Sequence, residues 1–288
     1  PGEGLPPLRY WSLARVLAAR GHDVTWWTAT WSHRRKAIRT APLGIRDDEG
    51  FAVRLVAVRP YQKNVSLARL GSHRDFGRTF ERLASESVSS GQLGRPDIIL
   101  ASLPPFEGPE ASARLARRLE ATFVLDIMDV WPETFDRLLP GPAFARRLFA
   151  PFFLGSMYRR RAELLAAADA VSSATQTYAD AVLADAPDSL PRHVCYLGGY
   201  PQEFPAPRRV VNEVPKPDGS TAGMSDPGPL ECVYAGTLEA GQDLDTLEAA
   251  VRHLATMGVV ATIHVAGTGS QEAGLRRAAA ATSGSCRL

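Results

Sequence analysis

Cysteine is scarce in this sequence, and long apolar runs are missing. The 288 residues contain three cysteines, Cys195, Cys232 and Cys286, which lie far apart and outside any C-x-x-C motif. Such spacing is typical of unpaired thiols in a reducing compartment, so we expect a cytoplasmic protein. No run of about 18 apolar residues occurs and no charged-then-apolar leader is found, so the sequence predicts neither a membrane-spanning helix nor an exported protein.

The sequence also has almost no net charge. The formal value of +2 at pH 7 gives no argument for nucleic acid as a partner, and no basic strip is interleaved with aromatic residues. His, Cys, Asp and Glu do not recur at metal-ligand spacing, so we expect no structural metal. The composition, with 45% apolar and 22% charged residues, is typical of a globular protein, and the length predicts two domains.

An initiating methionine and a closing element are missing as well. The sequence begins with Pro1-Gly-Glu-Gly4, and it stops at Leu288 shortly after a helical pattern. We therefore expect a fragment that is truncated at both ends.

What the sequence does contain is a repeated alternation of short apolar runs and helical patterns. Each run has the length and composition of a buried parallel strand, and repeated units of strand, loop and helix need right-handed crossovers. A polar loop is predicted around residues 71–73, before a helix over residues 76–88. Strands are predicted at residues 23–28, 53–58, 97–102, 122–127, 168–174, 193–199, 230–235 and 261–265. We therefore predict an α/β fold with parallel, doubly wound sheets.

The composition changes between residues 205 and 229. This stretch is rich in proline, glycine, serine and charged residues and has almost no apolar periodicity, which is typical of a linker between domains. We therefore predict a first domain over residues 1–204, a linker over residues 205–229, and an incomplete second domain over residues 230–288.

The stretch Asp126-Ile-Met-Asp-Val-Trp-Pro-Glu133 ends a predicted strand with three carboxylates within eight residues. Ligands of open α/β sheets bind at the carboxyl ends of the strands, so we expect Asp126, Asp129 and Glu133 to line a cleft as catalytic residues. Positioned carboxylates can orient or deprotonate a hydroxyl group. The alternative is that Asp129 caps a helix and Trp131 fills the core.

Glycine-rich turns occur in both predicted domains. In the second domain, Gly236-Thr237 and Gly267-Thr-Gly269 each follow a strand and precede a helix, where backbone N–H groups can meet a phosphate. If the two strands are neighbours, both turns lie side by side. In the first domain, Gly2 and Gly4 precede a predicted helix, and this segment is either an anion-binding loop or a flexible terminal turn.

Two segments are rich in basic residues. Four of them lie between positions 34 and 39, where they form either a solvated face or a contact with an acceptor or a membrane. Residues 144–161 contain two groups of arginines and four phenylalanines. Such a segment can contact anionic lipid or form a core helix whose arginines reach solvent. We predict the lipid contact, with binding that weakens as salt rises.

Five parts of the sequence form a combined signature: residues 4–9 with 17–25, 96–99, 126–133, 233–238 with 243–247, and 265–269. Together they resemble the retaining glycosyltransferases of family 4 (group 1), which have the GT-B fold. The Asp-Val-Trp-Pro-Glu run is the most specific part, and it is similar to the subgroup that adds sugars to polyprenyl-linked intermediates of bacterial surface polysaccharides. The resemblance covers nearly the whole chain.

The resemblance implies two Rossmann-like domains, one holding a polyprenyl-linked or saccharide acceptor and the other a nucleotide-sugar donor. Catalysis then takes place in the cleft between them, without a metal or other cofactor, at the inner face of the cell membrane. Helix N-termini and cations must stabilise the departing diphosphate. The implied acceptor-side phosphate loop contains Gly2, Gly4 and Arg9, and the implied donor-binding residues are Gly236, Thr237, Gln242, Gly267 and Gly269.

The sequence departs from the family pattern in its second domain. The family often places an arginine and a lysine after the first glycine turn, where this chain has Glu239, Gln242 and Asp243. The family's paired donor-binding glutamates come later than the sequence extends, so we expect the fragment itself to be inactive. One alternative is therefore a non-catalytic nucleotide- or lipid-binding module. Another is a nicotinamide-dependent oxidoreductase, although Gly2-Glu-Gly4 lacks the third glycine of the dinucleotide fingerprint.

Overall fold

The computed structural model describes residues 9–33, 35–39, 44–46, 50–63, 66–138, 143–184, 186, 189–197, 230–239 and 242–281, with only the backbone at 44–46, 136–138, 143–153 and 281. The chain divides into two compact units, Pro1–Glu203 and Phe204–Leu288. Gly2, Gly4 and the predicted linker lie outside the described residues.

The first unit alternates strands and helices. Its helices are α1 (Arg9–Ala19), α2 (Leu67–Ser89), α3 (Glu107–Leu119), α4 (Ala143–Ala167) and α5 (Gln176–Leu183), with a 3-10 helix at Glu133–Leu138. Its strands are β1 (Thr25–Ala29), β2 (Trp31–Ser32), β3 (Ala37–Ile38), β4 (Gly44–Arg46), β5 (Phe51–Val56), β6 (Ile98–Leu103), β7 (Thr122–Ile127), β8 (Ala170–Ser173) and β9 (Arg192–Val194).

The main sheets of this unit are built largely from parallel strands. One sheet has the order β6-β7-β8-β9, and each neighbouring pair is parallel. In another, β1 pairs with β5 in parallel and β4 joins β5 in antiparallel orientation. Strands β2 and β3 form a separate antiparallel pair after β1. The predicted α/β class with parallel sheets is confirmed; β2, β3 and β4 are too short for their alternation to be recognised in the sequence.

Strand β7 lies at the centre of the largest hydrophobic core. Phe123, Leu125 and Ile127 are almost completely buried, and they pack with Val171 of β8 and Val182 of α5. Full burial of a side chain of this size stabilises the fold by about 1.5–3 kcal/mol relative to exposure. Because these side chains are closely packed, the carboxyl end of β7 is held in one position.

Helix α2 begins at Leu67, so the predicted loop around residues 71–73 is wrong. The side chain of Ser66 accepts a hydrogen bond from the Arg69 N–H group at 3.2 Å and caps the helix. Ser72 is buried, and a Cβ on Gly71 would lie 2.9 Å from the side chain of Arg59. The N-cap and this packing outweigh the low helix propensity of a Gly-Ser-His stretch.

The second unit repeats the strand and helix alternation. It contains β10 (Leu230–Ala235), α6 (Leu244–Thr256), β11 (Ala261–Ala266) and α7 (Glu272–Ala281). Strands β10 and β11 are parallel neighbours, with Leu230 opposite Ala261 and Ala235 opposite Ala266. The predicted pairing of these two strands is therefore confirmed.

The contact between α2 and α3 provides a test of packing. A Cβ at Gly77 of α2 would lie 2.6 Å from the backbone carbonyl oxygen of Glu107. A backbone atom cannot rotate away, so we expect Gly77→Ala to lower the free energy of unfolding by about 1–3 kcal/mol. Urea denaturation measures the change.

Gly155→Ala is the matched control for this substitution. Gly155 lies inside α4, and a Cβ there would meet nothing within 4 Å. Alanine is favoured over glycine in a helix by about 0.5–1 kcal/mol, so this variant should be as stable as the parent or slightly more stable. Equal unfolding free energies for the two variants would contradict the close α2–α3 contact.

Candidate functional site

Asp126 is the second-to-last residue of β7, and its side chain is 1% exposed. It lies opposite Ser102 of β6 and Ser172 of β8 in the parallel register. The two short serine side chains leave space beside the carboxylate. Groups from outside the sheet can therefore reach Asp126 from the edge where the parallel strands end.

Arg9, the first residue of α1, forms a two-pronged ion pair with Asp126. Its Nε donates to Oδ2 at 3.1 Å, and its Nη2 donates to Oδ1 at 3.0 Å. Its Nη1 donates to the backbone carbonyl of Cys195, just after β9. Burial acts to lower the pKa of Arg9, but the hydrogen bonds and the negative charge of Asp126 outweigh it, so the pKa is raised overall. The guanidinium therefore stays charged.

Two hydroxyl groups complete the surroundings of Asp126. The Tyr10 hydroxyl donates to Oδ2 at 2.6 Å, and the Ser172 hydroxyl donates to Oδ1. Burial raises the pKa of Tyr10 far above its usual range, and the charge of Asp126 and their hydrogen bond raise it further. The phenol therefore remains a donor at any pH at which the protein folds.

Each oxygen of Asp126 thus accepts two hydrogen bonds, which uses the acceptor capacity of a carboxylate. A buried carboxylate in this state has no lone pair directed at a ligand. The structure therefore brings together two of the predicted site residues, Arg9 and Asp126, as partners of one another. This arrangement suits a residue that positions the strand end.

Asp129 lies beyond the end of β7 and is half-buried. Its Oδ1 accepts hydrogen bonds from the Val130 N–H group at 2.8 Å and from the Thr134 hydroxyl at 3.3 Å. Among the described residues, nothing donates to its Oδ2. Asp129 therefore has acceptor capacity left for a hydroxyl group, as has Glu133, whose Oε1 accepts nothing from the described residues.

Glu133, at the start of the 3-10 helix, is held by an arginine from α4. Arg161 is 6% exposed, and its Nη1 donates to Glu133 Oε2 at 2.7 Å and to the carbonyl of Trp131 at 2.8 Å. The Trp131 ring packs edge-on against Phe135, with centroids 4.6 Å apart, and lies 6.2 Å from the ring of Phe106. The arginine and the aromatic rings therefore fix the segment that follows Asp129.

Arg160 is also paired inside the first unit. It donates to Glu110 at 2.5 Å and to Glu107 at 3.1 Å, and its guanidinium lies 4.7 Å from the centroid of the Phe106 ring. The hydrogen bond to Glu110 is the main reason why the pKa of Arg160 is raised. Two of the three arginines at positions 159–161 thus bind carboxylates. The phenylalanine side chains of residues 144–153 lie outside the described ones.

In the second unit, the predicted donor-binding turns lie side by side. The Gly236 N–H group donates to the Ala266 carbonyl at 3.0 Å, and the Leu238 N–H group donates to the Thr268 carbonyl at 3.0 Å. A Cβ at Gly267 would lie 1.9 Å from the Gly236 carbonyl oxygen, and one at Gly269 would lie 2.3 Å from that of Leu238. These two glycines are required by the close approach of the turns themselves.

Gly236 differs from the other two glycines of the turns. A Cβ there would meet the hydroxyl of Tyr234 at 3.0 Å, which is the far end of a side chain. That hydroxyl donates to the Thr237 carbonyl at 3.0 Å. Gln242 is exposed, and its N–H group donates to the Glu239 carbonyl at 2.9 Å. Gly236, Thr237 and Gln242 therefore line an open surface of the turn.

No group of three or more His, Cys, Asp and Glu side chains in the described residues could hold a metal ion. No helix within the same part of the chain is both long enough and apolar enough to cross a bilayer.

Sequence reasoning missed Tyr10, Ser172 and the Cys195 carbonyl as parts of the site. Tyr10 belongs to the apolar stripe of α1, and only its hydroxyl reaches Asp126. Ser172 could have been found from the sequence, because a polar residue near the end of a buried strand, in register with an aspartate, indicates a hydrogen bond. A backbone carbonyl leaves no signal in the residue type.

Two solved structures are similar to this chain at low identity. Phytolacca americana UGT2 complexed with UDP-2fluoro-glucose and pterostilbene is 12% identical, over 94% of this chain and 70% of that chain, with a TM-score of 0.46. Arabidopsis thaliana UGT89C1 complexed with UDP-L-rhamnose is 13% identical, over 96% of this chain and 66% of that chain, with a TM-score of 0.40. The comparison with curated proteins gave no match.

A family profile matches most of the first unit. The profile is described as glycosyl transferase 4-like domain, and it matches residues 8–198, which is more than half of the chain. The match includes Arg9, the acidic motif at the end of β7, and the arginines of α4, and it ends before the glycine turns. The chain therefore belongs to the glycosyl transferase 4-like domain family, a GT-B glycosyltransferase family.

Proposed function

We propose that the protein transfers a sugar from a nucleotide-sugar donor to a lipid-linked or polysaccharide acceptor, with retention of configuration. One observation carries the proposal: within the family match, the strand end after β7 presents a half-buried carboxylate, Asp129, that keeps acceptor capacity. A carboxylate of this kind can accept a hydrogen bond from a sugar hydroxyl group and hold its oxygen for attack.

In the proposed reaction, the bond between the anomeric carbon and the donor phosphate oxygen breaks, and its electron pair leaves with the nucleoside diphosphate. The acceptor oxygen forms the new bond on the same face of the sugar. Its proton is oriented or taken up by Asp129. Asp126 acts as a positioning residue, because its oxygens are occupied by Arg9, Tyr10 and Ser172.

We assign donor binding to the turns of the second unit, with Gly236, Thr237, Gln242, Gly267 and Gly269 as candidates. The N–H groups of Gly236, Leu238 and Gln242 bond within the turns. The N–H groups that we assign to the diphosphate are therefore those of Thr237, Gly267 and Gly269 and those at the start of α6. No metal and no further cofactor is part of this proposal. The charge that develops on the leaving diphosphate is then stabilised by the dipoles of the turns and of α6.

A specific feature supports a second candidate function, a nucleotide- or lipid-binding module without turnover. The first glycine turn is followed by Glu239, Gln242 and Asp243, and none of these residues is cationic. A site without a cation stabilises the leaving diphosphate less well. The family match gives no support to the third alternative, an oxidoreductase. Donor binding without measurable transfer would favour the binding module.

Peripheral contact with anionic lipid at the inner face of the cell membrane is also part of the proposal. It depends on residues 144–161, where Arg159 is exposed but Arg160 and Arg161 pair with carboxylates. Only the arginines without such partners can add about 1 kcal/mol each to the attraction of anionic lipid. The basic part of the surface is therefore smaller than the sequence indicates.

The two aspartates of the acidic motif are expected to respond differently to substitution. Asp129→Asn removes the proton acceptor but keeps the hydrogen bonds of the loop, so we expect kcat to fall about 100-fold or more, with an unchanged melting temperature. Asp126→Asn leaves the part-buried Arg9 without a counter-charge and should cost about 1–3 kcal/mol of stability. Steady-state kinetics of the full-length protein and thermal melts separate the effects. Unchanged kcat in Asp129→Asn would remove this residue from the mechanism.

The donor turns can be tested with a pair of glycine substitutions. Gly236→Val fills the open surface of the turn and needs only a shift of the Tyr234 side chain, so we expect a donor dissociation constant raised about tenfold, which corresponds to about 1.4 kcal/mol. Gly267→Ala places a Cβ on the backbone of Gly236 and should instead lower the melting temperature. Calorimetric titration with the donor and thermal melts measure both. Wild-type donor affinity in Gly236→Val would place the nucleotide elsewhere.

The lipid contact predicts a difference between neighbouring arginines. We expect Arg159→Gln to weaken binding to vesicles that contain phosphatidylglycerol about fivefold, because its side chain is exposed. Arg160→Gln removes the same charge from a paired side chain and should change binding less. Co-sedimentation at low and high salt measures both variants. Binding that is indifferent to the anionic lipid would contradict the membrane contact.

A further inference from the structure

A second polar cluster lies in the first unit, beyond the ends of β1 and β5. Strand β1 leads into Trp31, His33 and Lys36, and β5 leads into Tyr61, while the first two turns of α2 contribute Arg69 and His73. We call these six residues the Trp31 cluster. Because β1 and β5 are parallel neighbours, the segments after them lie at one edge of their sheet.

Hydrogen bonds and ring contacts connect the members of the cluster. The Tyr61 hydroxyl lies 2.8 Å from His33 Nδ1, and Lys36 Nζ lies 3.4 Å from the same nitrogen. Lys36 Nζ is also 4.9 Å from the centroid of the Tyr61 ring. Since an ammonium group can only donate, Nδ1 of His33 is the acceptor and its Nε2 carries the proton.

The cluster has a positive electrostatic potential. Burial lowers the pKa of His33, and the charges of Lys36 and Arg69 lower it further. Burial lowers the pKa of His73 to about 4; Glu107 opposes this change, whereas Arg69 and His33 add to it. Both histidines are therefore neutral at pH 7, and the net positive charge comes from Lys36 and Arg69.

Buried nitrogen atoms of the cluster that have no hydrogen-bond partner among the described residues include Nε1 of Trp31, whose residue is 7% exposed, and Nδ1 of His73. His73 Nδ1 lies 3.9 Å from Glu107 Oε2, which is too long for a hydrogen bond. An indole N–H group is a donor only, and buried groups of this kind almost always find an acceptor. The cluster therefore offers a buried donor to a ligand that brings oxygen atoms.

The carboxylate of Glu107, which lies beside the cluster, does not cancel the positive charge of Lys36 and Arg69. Glu107 faces His73, but it also accepts a hydrogen bond from Arg160 at 3.1 Å. The negative charge of Glu107 is therefore shared with an arginine of α4. The N-terminal end of α2, which is 23 residues long and capped by Ser66, adds its positive dipole end on the side of Arg69.

The segments that form this polar cluster also carry exposed aliphatic side chains. Leu67 and Leu70 lie on either side of Arg69 in α2 and are 85% and 45% exposed. Ile38 is paired with Trp31 in the β2-β3 ladder and is 63% exposed. A free inorganic anion gains nothing from such a rim, whereas the hydrocarbon of an amphiphile would cover it.

We propose that the Trp31 cluster binds the phosphoryl group of a lipid phosphate, with the indole N–H group of Trp31, Lys36 and Arg69 on its oxygens and with Ile38, Leu67 and Leu70 against its hydrocarbon. This inference rests on the proposed function, because it identifies the acceptor as a lipid-linked phosphate. It goes beyond that function in placing the phosphate away from the acidic motif, at the ends of β1 and β5.

The experiment titrates the full chain with farnesyl diphosphate, without any donor present, and follows the tryptophan indole N–H signals by NMR. Trp31→Phe assigns the signal of Trp31, because it removes the N–H group and keeps a ring. We expect this signal to move downfield as the probe binds. Inorganic pyrophosphate is the second probe and is expected to bind at least about tenfold more weakly.

Charge variants test the site without disturbing the core. Lys36→Gln should raise the dissociation constant for farnesyl diphosphate about tenfold, which is the size of a lost charge-assisted hydrogen bond. Arg74→Gln removes the same charge from an exposed position of α2 and should bind within about twofold of the parent protein. Thermal melts check that each variant is folded.

Each contrary outcome overturns a stated part of the inference. A Trp31 signal that stays in place at saturation, or unchanged affinity in Lys36→Gln, would mean that the phosphoryl group binds elsewhere. Equal affinity for pyrophosphate and farnesyl diphosphate would overturn the lipid assignment. Because no donor is present, these binding results do not depend on sugar transfer. Sugar transfer by a protein that does not bind farnesyl diphosphate at the Trp31 cluster would reject this inference and leave the proposed function unchanged.

Discussion

The ion pair between Arg9 and Asp126 is the interaction on which the carboxyl edge of the first unit depends. It joins two residues that are 117 positions apart, one at the start of α1 and the other near the end of β7. A carboxylate at 1% exposure has lost its hydration, so Arg9, Tyr10 and Ser172 must replace the lost water. Helix α1 cannot move from the strand ends without leaving a buried charge unmatched, and this fixes the edge in one geometry.

The three carboxylates of the acidic motif differ in how their oxygen atoms are occupied. Asp126 is buried near the end of β7, where its acceptor sites are occupied, and Glu133 is held by a buried arginine of α4. Asp129 lies between them in the sequence, in a loop whose two ends are held by Arg9 and Arg161. Its side chain is half-buried, and its Oδ2 accepts no hydrogen bond from the described residues. A rigid loop with an available carboxylate oxygen is the arrangement that positioning a substrate hydroxyl requires.

Much of the fold could be predicted from the sequence, but the contacts of the site could not. Buried parallel strands such as β7 appear as short apolar runs, because both of their faces are covered. The start of α2 was missed because a single cap at Ser66 outweighs a polar stretch. The glycines at positions 267 and 269 were correctly recognised as a turn, but their contact with the neighbouring turn depends on strand pairing. The partners of Asp126 come from distant parts of the chain, and no local pattern records them.

A continuous series of contacts connects the acidic motif to the Trp31 cluster. Trp131, two residues after Asp129, approaches Phe106, whose ring is covered by Arg160. Arg160 binds Glu107, and Glu107 faces His73 of the cluster. These contacts link the ends of α2, α3 and α4 into one wall along the edge of the unit. A lipid-linked acceptor held by its phosphate at one end of this wall would extend along it toward Asp129 at the other. The fixed wall would then set how far the reacting hydroxyl lies from the phosphate, so acceptor selectivity would follow from packing as well as from charge.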